Sequence, residues 1–156
     1  MTEPFTLTSS AFTDGGTLPV VYTGDGAGLS PPLAWTGVPE GTVGFAVMMT
    51  TLALDGLKWN WVLYDIPAGV TALAESTAGV GTVGLSSDGP ELRYYPPMSK
   101  GHGPKTYTFT VYALSGAPTF SVPAARVSGA ALTSAISELT LESSRLSVTY
   151  TRREVR

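Results

Sequence analysis

The stretch Tyr22-Thr-Gly-Asp-Gly-Ala-Gly-Leu-Ser-Pro-Pro-Leu-Ala-Trp-Thr-Gly-Val-Pro-Glu-Gly41 decides how the rest of the chain is read. Asp25-Gly26 and Ser30-Pro31-Pro32 impose a loop, because proline fixes φ and removes a backbone donor. Leu33 to Trp35 is a short strand, which Gly37 and Pro39 end. The glycines of Gly24-Asp-Gly-Ala-Gly28 do not make a phosphate loop, since no Lys-Ser/Thr follows them and no helix opens there. Asp25 reads as a residue that ties this loop.

Upstream, Phe5 to Ser10 alternates weakly and reads as a first strand, Asp14-Gly15-Gly16 is a turn, and Val20 to Tyr22 is a short strand. Downstream, Gly44 to Thr51 is apolar on both faces and reads as a buried strand. Asp55-Gly56 turns the chain into a second strand, Lys58 to Ile66, which predicts an antiparallel pair. Ala72 to Gly89 is rich in Gly, Ser and Thr without a period and reads as a long surface loop, a length usually tied to function or mobility. Tyr94 to Pro104 is irregular, and Thr106 to Leu114 alternates cleanly as a strand. Between Ser128 and Leu141, Ala131, Leu132, Ala135, Ile136 and Leu139 make an apolar stripe at helical spacing, with Ser128 as N-cap. Arg145 to Arg152 closes the chain as a strand.

Composition narrows the function classes. A chain of 156 residues is read as one domain, residues 1–156, mainly β, with 13% charged residues and many Gly and Pro turns. A net charge of −3 without a basic run argues against nucleic acid. The cluster Arg152-Arg153 and Arg156 reads as a solvated tail. With no cysteine and one histidine, disulfides, thiolate chemistry and a metal site of Cys or His ligands are not expected, and no cofactor is implied. There is no signal-peptide pattern at Met1-Thr-Glu-Pro-Phe5 and no apolar run of spanning length, so a cytoplasmic protein without membrane insertion is expected.

The opening stretch resembles the signature of the phosphatidylethanolamine-binding protein family, which includes the Raf kinase inhibitor proteins and bacterial relatives and reads Y-T-C-D-G-x-x-x-S-P-P-L-x-W-x-x-x-P-x-G. Asn60-Trp-Val-Leu-Tyr-Asp-Ile-Pro67 is similar to the family's H-W-V-V-Y-N-I-P, and Tyr95-Pro-Pro followed by Gly101-His-Gly-Pro-Lys-Thr-Tyr107 to its C-P-P and G-H-G-P-H-R-Y. Phe109-Thr-Val-Tyr-Ala-Leu114, the helix and Leu146-Ser-Val-Thr-Tyr-Thr-Arg152 resemble the family's closing elements, in the same order. The resemblance implies a Greek-key β-sandwich with one or two short helices. It also implies a small pocket at one end that takes phosphate-like or carboxylate-like groups.

At that pocket the chain departs from the family pattern. Thr50-Thr51-Leu52-Ala53-Leu54 replaces D-P-D-A-P, Asn60 stands for the H-W histidine, and Lys105-Thr106 stand for the histidine and arginine of H-R-Y. Tyr107 remains, and His102 corresponds to the other histidine of G-H-G-P. Carboxylates and histidines thus become hydroxyls, leucines, an amide and an ammonium, a set suited to an organic small molecule. Asn60 donates and accepts but shuttles no proton near neutrality, and Lys105 can hold an anion or enolate as a point charge.

The candidate catalytic residues are therefore Lys105, Asn60, Tyr107 and His102. The candidate ligand-lining residues are Thr50, Thr51, Leu52, Leu54, Tyr64, Tyr94, Tyr95 and Pro96. Each has a plainer alternative: Lys105 as a solvated lysine, Asn60 as a satisfied structural amide, His102 as a loop residue, Thr50 and Thr51 as ordinary strand residues. In regular strands, Val62 and Tyr64 share the face of Asn60, Trp59 and Trp61 lie opposite, and Lys105 and Tyr107 share a face.

Three functions compete. The first is a cofactor-independent biosynthetic enzyme for the cyclisation, cycloaddition, isomerisation or dehydration of a carbonyl-bearing natural-product intermediate, acting by shaping it and stabilising charge. The second is a non-catalytic binder of a phospholipid headgroup or other anion with a regulatory role, and the third a scaffold. The partner expected is an organic small molecule, and a homodimer through sheet edges is open.

Overall fold

The run from Gly44 is apolar on both sides because both sides are covered. In the computed structural model, which describes residues 3–53, 56–97 and 104–151, the chain forms two antiparallel sheets. β1 (Thr6–Thr8), β2 (Leu33–Thr36) and β5 (Ala72–Leu73) make the smaller sheet, with β2 in the centre. β3 (Gly44–Ala53), β4 (Gly56–Pro67), β6 (Thr82–Val83), β7 (Lys105–Leu114) and β8 (Thr140–Tyr150) make the larger one in the order β6-β4-β3-β7-β8.

The inner face of the larger sheet packs on the smaller sheet. Phe45, Val47 and Met49 of β3, Phe109 and Val111 of β7, and Leu146 and Val148 of β8 meet Leu7 and Trp35 there. Aromatic rings supply much of this layer: Trp35 lies 5.2 Å from Phe45 and Phe12 5.7 Å from Phe109, between ring centroids. The outer face carries a second apolar cluster of Ala46, Met48, Val62 and Tyr64 beneath α1 (Gly129–Ile136), whose Leu132 and Ile136 are buried. The mainly β sandwich is thus present, with a single α-helix among the described residues.

Most predicted elements are present with shifted ends. Ser128 caps α1 as expected, accepting from Ala131 N at 3.1 Å. The helix stops at Ile136, short of Leu141, because Thr140 already begins β8 and Ser115 N binds Leu139 O at 2.8 Å. Val20–Tyr22 is a 3-10 turn where a strand was expected. Pro19 leads into it, and its carbonyl accepts from Tyr22 N at 3.1 Å. The long 72–89 loop contains the two-residue strands β5 and β6 and runs along the edge of β4, where Gly84 N binds Val62 O and Ser87 N binds Trp59 O. That cover satisfies backbone groups an edge strand would otherwise expose.

Two irregularities in β4 govern which side chains face inward. Between the pairs Thr50↔Trp59 and Met49↔Trp61, Asn60 is an extra residue. Between Phe45↔Ile66 and Val47↔Leu63, Tyr64 and Asp65 oppose Ala46 alone, with Asp65 at φ 54°. An extra residue of this kind resets the in–out alternation of a strand. Trp61, Leu63 and Ile66 therefore face the inner core, while Val62 and Tyr64 face α1.

Candidate functional site

The 22–30 loop is a scaffold for one end of the larger sheet. Tyr94 Oη donates to Tyr22 O at 2.8 Å, and Gly24 N donates to Pro97 O at 2.9 Å. Gly28, at φ 73°, lies so close to Pro96 that a Cβ there would stand 3.1 Å from the proline ring. These contacts fix the Tyr94-Tyr-Pro-Pro97 segment against the loop. Tyr95 N also binds Asn60 O at 2.9 Å, which joins the segment to β4.

Asn60 sits at the centre of this joint, 5% exposed. Thr51 Oγ1 donates to its Oδ1 at 2.6 Å, and its Nδ2 donates to Asp88 Oδ2 at 3.1 Å. Asp88 is itself held by Ser86, whose Oγ accepts from Asp88 N at 3.0 Å and donates to Trp59 O at 2.7 Å. A buried amide with its oxygen and nitrogen both committed has a fixed orientation.

Strand register adds the other groups. Thr51 stands opposite Tyr107, Tyr107 opposite Val148, and Lys105 opposite Tyr150. Directly opposed residues share a sheet face. Thr51, Lys105, Tyr107 and Tyr150 therefore lie on the inner face at the sheet end, as the shared face of Lys105 and Tyr107 requires. Tyr150 Oη donates a hydrogen bond to Asp25 Oδ2. Asp25 thus ties the loop to β8.

Burial sets the tyrosine chemistry. Burial pushes the Tyr94 phenol far above its ordinary range, and the neighbouring Tyr107 and Tyr22 phenols add to this. Tyr22 is pushed up to about 12, first by burial and then by its hydrogen bond to Glu75 and the charge of that carboxylate. Its phenol donates to Glu75 Oε1 at 2.7 Å. A phenol whose pKa is raised on folding stabilises the native state fully below the unfolded value of 10.0, and that contribution is lost as pH rises from there to about 12. The urea midpoint is expected to fall across this window, and to fall less steeply in Tyr22→Phe. An equally steep fall in the variant would contradict this assignment.

The structure divides the predicted residues. Thr51 is hydrogen-bonded to Asn60 and stands opposite Tyr107, Lys105 lies two residues from Tyr107 on the same face, Tyr94 is buried, and Tyr95 and Pro96 lie in the segment that abuts Asn60. Thr50 and Leu52 are on the outer face, in a groove with Trp59, Thr106 and Thr108, and Leu52 is 77% exposed. The D-P-D-A-P position thus spans both faces, because alternate residues of a strand point opposite ways. Tyr64 does not share the face of Asn60: the extra residue at Asn60 reverses the expected parity, and Tyr64 packs edge-on to Phe120, 5.1 Å between ring centroids. Trp61, expected opposite Asn60, shares the inner side. The Tyr95 ring lies under the Arg93 guanidinium at 4.4 Å, and its hydroxyl accepts from Glu91 N at 3.0 Å. His102 and Leu54 lie outside the described residues.

Two groups at the site were not singled out for it from sequence. Asp88 is 28 positions from Asn60 in an aperiodic segment, so nothing local signals the contact. Tyr150 was legible, since the alternation of the last strand places it with Leu146 and Val148. Among the described residues no group of three or more His, Cys, Asp or Glu could hold a metal ion.

Fold and site together define a β-sandwich whose Gly- and Pro-rich loop closes on a polar cluster at one end of the larger sheet. The chain belongs to the phosphatidylethanolamine-binding protein family, whose pattern matches residues 8–151. It is 38% identical over 113 residues to a UPF0098 protein of Aquifex aeolicus, covering 69% of this chain and 66% of that one. It is 32% identical over 114 residues to the protein of Mycobacterium tuberculosis named "Putative lipoprotein LppC", covering 72% and 56%. The chain thus spans just under two thirds, and just over half, of these relatives' lengths. The crystal structure of CT736 from Chlamydia trachomatis superposes with a TM-score of 0.85 at 28% identity, covering 96% of this chain and 98% of that one. Among the described residues no helix is long and apolar enough to cross a membrane. The lipoprotein name of one relative leaves the cytoplasmic expectation without support.

Proposed function

We propose that this protein binds a small organic molecule by a carbonyl or carboxylate end, at the sheet end where Thr51, Asn60, Lys105 and Tyr107 meet. The observation that carries this reading is the orientation of Asn60, a buried amide held on both sides by Thr51 and Asp88. Preorganised polar groups beside apolar and aromatic walls are the usual make-up of a small-molecule site. Lys105 supplies the positive charge, and the phenol of Tyr107 a donor. An anionic headgroup binder would use the same lysine but would prefer phosphate.

Affinity for hexanoate and for inorganic phosphate, measured by calorimetry, tests this. Hexanoate is expected to bind more tightly than phosphate. Lys105→Ala is expected to weaken hexanoate binding about tenfold or more, since a hydrogen bond to a charged group contributes about 1.5–3 kcal/mol. Tighter binding of phosphate would return the site to the headgroup reading, and unchanged affinity in Lys105→Ala would remove the lysine from it.

A second reading, cofactor-free cyclisation or isomerisation of a carbonyl-bearing intermediate, is favoured by the Asp25–Tyr150 contact. Tyr150 is the strand partner of Lys105, so the pair puts a phenol and the carboxylate bound to it beside that lysine's strand. Charge on a substrate oxygen would be held by Lys105, and Asp25 with Tyr150 would hold the mobile proton.

A further inference from the structure

A cleft of about 400 Å³ lies beside the sheet end and shares only the Tyr94 wall with the candidate residues described above. Its walls come from the 28–30 loop, the 76–81 loop, β4, β6 and the 92–94 segment. Trp61 and Leu63 line it, both almost fully buried, together with Leu29, Val80 and Val83, all packed on the inner core. Trp61 is held edge-on to Tyr94, 5.4 Å between ring centroids, so this part of the wall is rigid. The volume falls within the range of about 300–1,000 Å³ that small-molecule clefts occupy.

Two polar features give the cleft a chemical preference. Ser30 lines it at 6% exposure and carries a hydroxyl that can both donate and accept. Its backbone oxygen is already taken by Ser76 N at 2.9 Å, which also ties the two loops together. Among the described residues, Arg93 is the one charged residue that lines the cleft, and no acidic residue does so. Its Nε lies 3.4 Å from Glu91 Oε2 in an exposed pair, and such pairs are weak enough to be exchanged for another carboxylate.

From this arrangement we infer a second ligand site, for a small aromatic monocarboxylate. The ring would lie against Trp61 and Leu63, and the carboxylate would accept from Ser30 and Arg93. Lys105 and Asn60 do not line this cleft, so the inference does not depend on the sheet-end reading.

The probe is 1-naphthoate, titrated into uniformly 15N-labelled protein. The amides of Ser30, Trp61, Val80 and Val83 are expected to shift together and saturate. Ser30→Ala, which removes one oxygen from a buried position, is expected to weaken binding about threefold or more. Arg93→Gln is expected to weaken it by a similar factor of about three. Lys105→Ala separates the two sites, lowering hexanoate affinity at the sheet end while leaving naphthoate binding at its wild-type value. Naphthoate shifts confined to Thr51, Asn60 and Tyr107 would place the probe at the other site and overturn the inference. So would the absence of saturable shifts, or wild-type affinity in both cleft variants.

Discussion

Phe109→Ala is expected to lower the unfolding free energy by about 3–5 kcal/mol, the usual cost of truncating a buried phenylalanine. Phe109 is fully buried in the middle of β7, between Met49 of β3 and Leu146 of β8, and its ring stacks on Phe12. The cost has two parts, the lost transfer of the ring from water and the cavity left among partners held by three strands. Phe109 lies two residues from Tyr107 on the same face, so a looser core at this point also loosens the sheet end. Urea unfolding checks this: the midpoint should drop sharply with an unchanged slope. A loss within about 0.5 kcal/mol, the range of surface substitutions, would contradict the layer arrangement given for β7.

Asn60→Leu is the second large effect, and it acts on both stability and binding. Leucine keeps much of the volume but removes the acceptor of the buried Thr51 hydroxyl and the donor to Asp88. Leaving a buried polar group without its partner costs about 1–3 kcal/mol. The variant should therefore fold with reduced stability and lose hexanoate binding. Asp88→Asn separates the two roles: it keeps an acceptor for Asn60 Nδ2 and should keep most of the stability. Wild-type stability and wild-type affinity in Asn60→Leu would mean that the amide neither braces nor serves the site.

How far the sequence anticipated this structure depends on the kind of signal. The apolar run from Gly44 required cover on both faces, and the sheet lies between the smaller sheet and α1. The alternation read from Thr106 to Leu114 is present in β7, where Tyr107, Phe109 and Val111 all face the inner core. The resemblance of the 22–41 stretch and of Tyr95-Pro-Pro to a family motif has a physical basis in the Gly24–Pro97 and Gly28–Pro96 contacts.

The site was only partly legible, for a definite reason. Parity arguments assume one residue per step, and β4 breaks that rule twice. The extra residue at Asn60 moved Trp61 inward and sent Val62 and Tyr64 to the helix side. Nothing in Trp59-Asn-Trp61 announces this, because such irregularities are fixed by tertiary packing and by the cover strand. Asp88 was hidden for the same kind of reason: its role comes from a segment lying along an edge, with no periodic signature of its own. The alternation within Thr50-Thr51-Leu52 was available and would have divided those residues between the two faces.

The most direct test of the sheet-end site is an NMR titration of the 15N-labelled protein with hexanoate, following the side-chain amide of Asn60. This resonance and the backbone amides of Thr51, Lys105 and Tyr107 are expected to shift together and saturate with one affinity. A stationary Asn60 side chain while hexanoate saturates elsewhere on the protein would contradict it.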